Sequence, residues 1–217
     1  MTLFDSFTSV LLIGLSACSA DISTFSGRIL PSCELPIQRI TYWDGAASEV
    51  SASCIIAGPK RILTARHNLP AIYYATAPQT DGQKNGGTYP TFPIRVGGQV
   101  AQGSVLDFGR GETIADDWVA IFIHSNNLEA DDRMVGTPMI DNPVVGESVL
   151  IIGYPNSAGG ELVGLAARVE RVSRSESNNR SDLNGSFEVR LIDTGDQDFD
   201  VREEKLHGLS GGAIVRM

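Results

Sequence analysis

The chain has 217 residues, of which 42% are hydrophobic, and it carries a formal net charge of -9. This composition is that of an ordinary globular protein able to bury a core, and the acidic balance argues against a nucleic-acid partner because few cations remain to neutralise phosphates. The 23 glycines and 10 prolines, together with few helical patterns, favour a protein of strands and turns.

The first segment of the chain is predicted to be an export signal. Residues 10–17 (VLLIGLSA) are apolar and too short to span a bilayer, as in the central region of a signal peptide. They run into Leu-Ser-Ala-Cys, which resembles the lipobox of bacterial lipoproteins and predicts lipid on Cys18. Residues 1–18 would then direct the protein to the periplasm or cell envelope with a lipid attachment to the membrane, or alternatively to secretion. Asp5 and the absence of Lys or Arg before the apolar run depart from this pattern, and a buried helix is the alternative.

Residues 19–35 are predicted to be a tether, and residues 36–126 a first β-barrel. Short apolar runs alternate with turn signals in this barrel. Residues 94–108 contain Gly97 and Gly98 and are predicted to form one or two strands. Further strands are predicted over residues 53–57, 61–65 and 118–123, and the last of these is apolar throughout, as expected of a strand buried on both faces.

The second half of the chain repeats this alternation after a linker. Residues 127–146 are rich in Asn, Asp and Pro, and are predicted to be the linker between two β-barrels or sandwiches. Residues 147–217 are predicted to form the second β-barrel, with a polar hairpin loop over residues 173–185. Its strands are predicted over residues 148–153, 165–172, 187–192 and 213–216.

Three residues could together form a nucleophilic site. Ser210 lies in GLSGG, and a serine becomes a nucleophile only beside a base and in front of an oxyanion site. His67 ends a predicted strand, where an imidazole can face a cleft and accept a proton. Asp117 opens an apolar strand, at the margin of a core, where a carboxylate can orient an imidazole. No Asp, Glu or His follows Ser210, so the Ser-acid-His order of α/β-hydrolases is excluded.

These residues lie in motifs that resemble those of the trypsin/chymotrypsin-like serine peptidases, in particular the bacterial branch. TARH at residues 64–67, DWVAI at residues 117–121 and GLSGG at residues 208–212 resemble the His, Asp and Ser motifs of that family, in the family's order. VLIIGYP at residues 149–155 is similar to the strand that opens the second barrel. The resemblance covers roughly residues 35–217.

The resemblance implies an all-β, two-barrel fold and a serine endopeptidase that acts on protein or peptide substrates. It implies His67, Asp117 and Ser210 as the catalytic triad, the N–H groups of Gly208 and Ser210 as the oxyanion hole, and no metal or cofactor. Family members continue past the serine, so we expect the second barrel to be incomplete in this chain and its own activity to be low. The alternative is a non-catalytic peptidase homologue that serves as an envelope binding module.

Several residues depart from the family pattern. Leu209 replaces the acidic residue that usually precedes the serine, which predicts that no activation by an inserted N-terminus takes place. Asn68 stands where many members have a cysteine. With Cys18 assigned to lipid, Cys33 and Cys54 are predicted to form a disulfide, with two unpaired thiols as the alternative.

The resemblance also implies that Glu204 lies at the base of the substrate-specificity pocket. A carboxylate at that position would favour Lys or Arg in the substrate. The adjacent Lys205 could neutralise it, so a surface loop charge is the alternative.

Overall fold

The computed structural model describes residues 11–14, 28–29, 36–43, 49–70, 73, 91–110, 116–124, 137–138, 143–156, 159–173, 186–192 and 207–216. Within these ranges the regular elements are β-strands, and the 3-10 turn that bears on the site is Arg66–Asn68. None of the described segments contains a helix long and apolar enough to cross a membrane. The strands in chain order are β1 Leu11–Gly14, β2 Arg28–Ile29, β3 Ile37–Trp43, β4 Glu49–Gly58, β5 Arg61–Ala65, β6 Thr91–Val96, β7 Gln99–Phe108, β8 Trp118–Ile123, β9 Thr137–Pro138, β10 Ser148–Gly153, β11 Val163–Ser173, β12 Ser186–Leu191 and β13 Ala213–Arg216.

Strands β3 to β8 form a closed barrel in the order β3-β4-β5-β8-β7-β6, with β3 and β6 closing the ring. Side chains along β6 alternate between solvent and interior, so that Phe92, Ile94 and Val96 fill the barrel. Gly97 and Gly98 both have positive φ and form the two-residue turn between β6 and β7. The sequence signal for a break at these two glycines therefore corresponds to a tight hairpin.

The prediction that residues 118–123 are buried on both faces is wrong. In β8, Val119, Ile121 and Ile123 are fully buried inside the barrel, whereas Trp118 on the outer face remains 37% exposed. A barrel has only one packed interior face, so an apolar strand can still present half of its side chains to its surroundings.

The remaining strands form a second sheet in the order β12-β11-β10-β13-β1-β9, with β2 added beside β11. The pairs are antiparallel except for β1 with β13. Apolar side chains of β10, β11 and β13 make the core of this sheet. The predicted all-β class is confirmed, with a closed barrel and a second sheet that also takes in the N-terminal strands β1 and β2.

Three short strands lie in segments where the sequence predicted none. β1 falls in the predicted export signal, β2 in the predicted tether and β9 in the predicted linker. Each has two to four residues and pairs with a distant segment, as in the pairing of Leu11 with Ala213. Such short runs carry too little alternation to be recognised as strands.

The structure does not contain the predicted disulfide between Cys33 and Cys54. The Cys54 thiol is free and completely buried among the side chains that fill the barrel. Burial raises the pKa of this thiol well above its ordinary value of 9.0. Because β4 points Cys54 into the closed core, a bridge to Cys33 would have to enter that core. Cys33, like Cys18, lies outside the described residues.

Candidate active site

The two barrel residues of the candidate site are brought together by the pairing of β5 with β8. Ala65, the last residue of β5, lies opposite Trp118, the first residue of β8. In an antiparallel pair, the segment after one strand lies beside the segment before the other. The Arg66–Asn68 turn therefore sits against Asp117, and the Arg66 N–H donates to the Asp117 carbonyl at 3.1 Å.

His67 and Asp117 are joined by two hydrogen bonds. The His67 backbone N–H donates to Asp117 Oδ1 at 2.8 Å, and His67 Nδ1 lies 2.5 Å from Oδ2. The carboxylate side chain is 10% exposed and the imidazole 44% exposed. Because a carboxylate can only accept, the proton of a neutral imidazole sits on Nδ1 and leaves Nε2 as an acceptor.

Ser210 faces that acceptor from the second sheet. Its Oγ lies 3.0 Å from His67 Nε2, in the turn that leads into β13. Gly211, the next residue, has a φ of 83°. A Cβ at this position would come within 3.1 Å of the Ala65 nitrogen and collide with the Ser53 carbonyl. Glycine is thus required for the serine turn to approach β5 closely.

The backbone around Gly208 is held by two hydrogen bonds and leaves no room for a side chain. The His207 carbonyl accepts from the Asn156 N–H at 2.6 Å. In a trans peptide the N–H points opposite to the C=O, so the Gly208 N–H is directed away from Asn156. The Gly208 carbonyl accepts from Ser53 Oγ at 2.7 Å. Gly208 also has a φ of 99°, and a Cβ there would lie 2.6 Å from the Tyr154 carbonyl. Both predicted oxyanion donors, Gly208 and Ser210, therefore belong to one restrained turn.

Leu209 lies between these two donors and is buried in the core of the second sheet. A carboxylate at this position would have to be desolvated. The departure from the family pattern at Leu209 is thus accommodated by packing.

The other two histidines lie elsewhere. His124 follows the far end of β8, and its Nε2 lies 2.8 Å from Ser104 Oγ. His207 is exposed. Of the three, His67 is the one within hydrogen-bond distance of Ser210.

The structure adds residues that the sequence analysis did not place at the site. Ser53 Oγ accepts from the Tyr154 N–H at 2.8 Å, and the Ser53 N–H donates to the Ser210 carbonyl at 3.0 Å. Asn68 Nδ2 donates to the same carbonyl at 3.1 Å. No sequence signal pointed to Ser53. Asn68 drew notice only as the residue in place of a cysteine.

Glu204, the predicted specificity residue, lies outside the described residues, as do Cys18 and Cys33. In the ranges that are described, no three His, Cys, Asp or Glu side chains come together in a group able to bind a metal ion.

Comparisons with known proteins give structural similarity at low identity. No protein-family model matches the chain, and no curated protein matches it. It is similar to the active form of the Rv3671c protease from M. tuberculosis, at 15% identity over 98% of this chain and 78% of that chain, with a TM-score of 0.49. The inactive form of that protease matches at 15% identity over 95% and 81%, with a TM-score of 0.46. The serine endoprotease from Yersinia pestis matches at 17% identity over 84% and 50%, with a TM-score of 0.43. The M. tuberculosis protein is a protease and the Yersinia pestis protein is a serine endoprotease.

Proposed function

We propose that the protein is a serine endopeptidase that cleaves peptide bonds through an acyl-enzyme. The observation that carries the proposal is the line of contacts Asp117–His67–Ser210, with 2.5 Å from Oδ2 to Nδ1 and 3.0 Å from Nε2 to Oγ. A nucleophile in hydrogen-bond reach of a base, with the base oriented by a third group, is the arrangement that activates a serine.

In the first half of the proposed reaction, Ser210 Oγ attacks the carbonyl carbon of the scissile bond while His67 Nε2 takes the hydroxyl proton. The carbonyl oxygen becomes an oxyanion, which accepts from the N–H groups of Gly208 and Ser210. The intermediate then collapses as the C–N bond breaks. His67 returns its proton to the leaving amine, and the acyl group remains on Ser210. Asp117 stays ionised and stabilises the imidazolium that forms between these steps.

In the second half, a water molecule attacks the acyl-enzyme and His67 again takes the proton. Collapse of this second intermediate releases the carboxylic acid and restores the Ser210 hydroxyl. Partial exposure of the His67 ring, 44% of its side chain, supports this double role because the ring must receive both substrate and water.

Three additional proposals rest on the sequence alone. Glu204 would favour Lys or Arg in the substrate through charge pairing. Residues 1–18 would direct export to the periplasm, cell envelope or exterior. Lipid on Cys18 would attach the protein to a membrane.

A fluorophosphonate probe tests the chemistry, because it phosphonylates a serine only where a base activates that hydroxyl. We expect the protein to be labelled at Ser210 and to hydrolyse peptide or ester substrates. Ser210→Ala should lose the label and at least about 1,000-fold of the turnover, since the nucleophile is gone. Peptide mapping of the labelled protein identifies the modified residue.

Ser104→Ala is the matched control, since it removes a buried serine hydroxyl from β7, opposite Phe122 and so at the end of β8 that is far from Asp117. It should retain both labelling and turnover. A wild-type protein that is folded but neither labelled nor active would contradict the proposal and favour the non-catalytic homologue.

A further inference from the structure

The carbonyl of Ser210 is held from two sides. The Ser53 N–H in β4 donates to it at 3.0 Å, and Asn68 Nδ2 donates at 3.1 Å. A carbonyl oxygen has two lone pairs, so both of its acceptor positions are used. The peptide group on the C-terminal side of the proposed nucleophile is thereby attached to the barrel, although Ser210 itself belongs to the second sheet.

The Asn68 amide nitrogen is fully used as well. Its second hydrogen bond goes to Thr64 Oγ1 at 3.1 Å, and Thr64 Oγ1 in turn donates to the Ser53 carbonyl at 2.7 Å. Asn68 is 8% exposed and Thr64 4% exposed, so water competes little for these groups. A buried amide with both N–H groups satisfied has one orientation, because any rotation would leave a donor unpaired.

Asn68 also shares a rigid turn with the proposed base. His67 and Asn68 are consecutive in the Arg66–Asn68 turn, which is fastened to Asp117 by the Arg66 and His67 N–H groups. The middle residue of the turn therefore carries the imidazole, and the last residue carries the amide that donates to the Ser210 carbonyl. Any shift of the turn therefore moves both the His67 imidazole and the Asn68 amide that donates to the Ser210 carbonyl.

We propose that Asn68 is a positioning residue that sets the distance between Ser210 Oγ and His67 Nε2 by donating a hydrogen bond to the Ser210 carbonyl. This inference rests on the proposed peptidase function and deepens it. Asn68 acts on the reaction through Ser210 and does not touch the reacting atoms. Many members of the family that the chain resembles have a cysteine at this position. In this chain a side-chain amide takes the place of the disulfide that such a cysteine could form.

The test separates geometry from folding by following fluorophosphonate labelling over time. The final extent of labelling reports the fraction of folded sites, and the rate constant at saturating probe reports the alignment within each site. Asn68→Ala should lower this rate constant about 10-fold to 100-fold, because small misplacements of catalytic groups cost rates of that order. The probe concentration that gives the half-maximal rate should stay the same, since Asn68 is not proposed to bind the probe.

Two further variants refine the measurement. Asn68→Asp keeps the size of the side chain but has no donor, and should show a similar loss. Thr64→Val keeps the β-branched shape but removes the hydroxyl that orients the amide. It should show a smaller loss in the same direction, which keeps the inference testable if Asn68→Ala does not fold. Ser104→Ala is again the control, with an unchanged rate constant.

Each outcome has a distinct meaning. Asn68 variants that label at the wild-type rate constant, with or without a smaller final extent, would overturn the positioning role and leave the peptidase proposal standing. A folded wild-type protein that does not react would overturn both. A slower rate constant in the Asn68 and Thr64 variants, with Ser104→Ala unchanged, is the expected result.

Discussion

The Cys54 thiol is a group that folding keeps protonated. The side chain is fully buried in the barrel core, and burial raises its pKa well above 9.0 because a thiolate would lose its hydration there. A backbone hydrogen bond at Gln38 acts in the opposite direction but is the smaller effect. The folded protein therefore holds a proton that the unfolded chain releases in alkaline solution.

This difference predicts a pH dependence of stability. Below pH 9 the thiol is protonated in both states and contributes no slope. Above pH 9 the unfolded chain loses the proton and the folded protein keeps it, so the free energy of unfolding should fall by about 1.4 kcal/mol per pH unit from this group. Urea unfolding from pH 7 to pH 10.5, without reductant, measures the effect in the wild type and in Cys54→Ala.

The difference in free energy of unfolding between the wild type and Cys54→Ala should narrow above pH 9, since the variant lacks the thiol. A difference that stays constant across the range would indicate that Cys54 does not ionise on unfolding, as in a disulfide with Cys33.

Residues of the candidate site differ in how far the sequence could reveal them. His67, Asp117 and Ser210 stand in motifs whose order and local setting are recognisable. Ser53 has no such signal, because its partners Tyr154 and Gly208 are 101 and 155 residues away in sequence. A small polar residue in a strand has many structural uses, and only the folded chain shows which carbonyl it meets.

At the level of elements, the sequence predicted strands best where a short apolar run is bordered by glycine. The hairpin of β6 and β7 and the strands β10 and β13 are recognisable from such patterns. β1 could not be predicted, since its four residues gain strand structure only from contact with β13 and β9. Pairing across some two hundred residues is a tertiary property that local composition does not encode.

The position of β1 leads to a prediction about the second sheet. Processing at Cys18, as the lipobox would direct, removes β1 and leaves β13 paired with β10 alone among its present neighbours. A protein lacking residues 1–17 should therefore show faster amide hydrogen exchange in β13 than the full chain does, because an edge strand is exposed to solvent.

Hydrogen exchange detected by mass spectrometry measures this, with the peptide containing β5 as an internal control that should not change. Equal exchange of β13 in the two proteins would mean that β1 does not contribute to the stability of the sheet.

For the molecule as a whole, Ser53 is a junction between the two halves. It belongs to the barrel, yet its hydroxyl receives the Tyr154 N–H from the end of β10 and donates to Gly208 in the serine turn. The Ser53 N–H also donates to the Ser210 carbonyl. Because Ser53 is completely buried, all three hydrogen bonds lie where water is excluded. The interface between the halves thus includes a hydrogen-bonded centre beside a buried apolar cluster, in which Ile37 and Ile55 of the barrel join Leu150 and Ile152 of β10.

Ser53→Ala should lower the free energy of unfolding by about 2 kcal/mol or more, because a buried N–H and a buried C=O each lose a partner. Ser104→Ala should cost less, about 1 kcal/mol, since its partner His124 is exposed and can bind water instead. Urea unfolding of both variants gives the comparison. Equal losses would show that Ser53 does not act as a junction.

The division of the site between the two halves has a consequence for synthesis of the chain. Strands β3 to β8 and the His67–Asp117 pair leave the ribosome well before Ser210, and a barrel with its own core can fold while the remainder is still being made. A nascent chain at that stage has a base and an acid but no nucleophile. On the proposed function, hydrolytic activity can arise only after the second sheet packs against the barrel. A partly synthesised chain therefore cannot cleave proteins of the ribosome that is translating it.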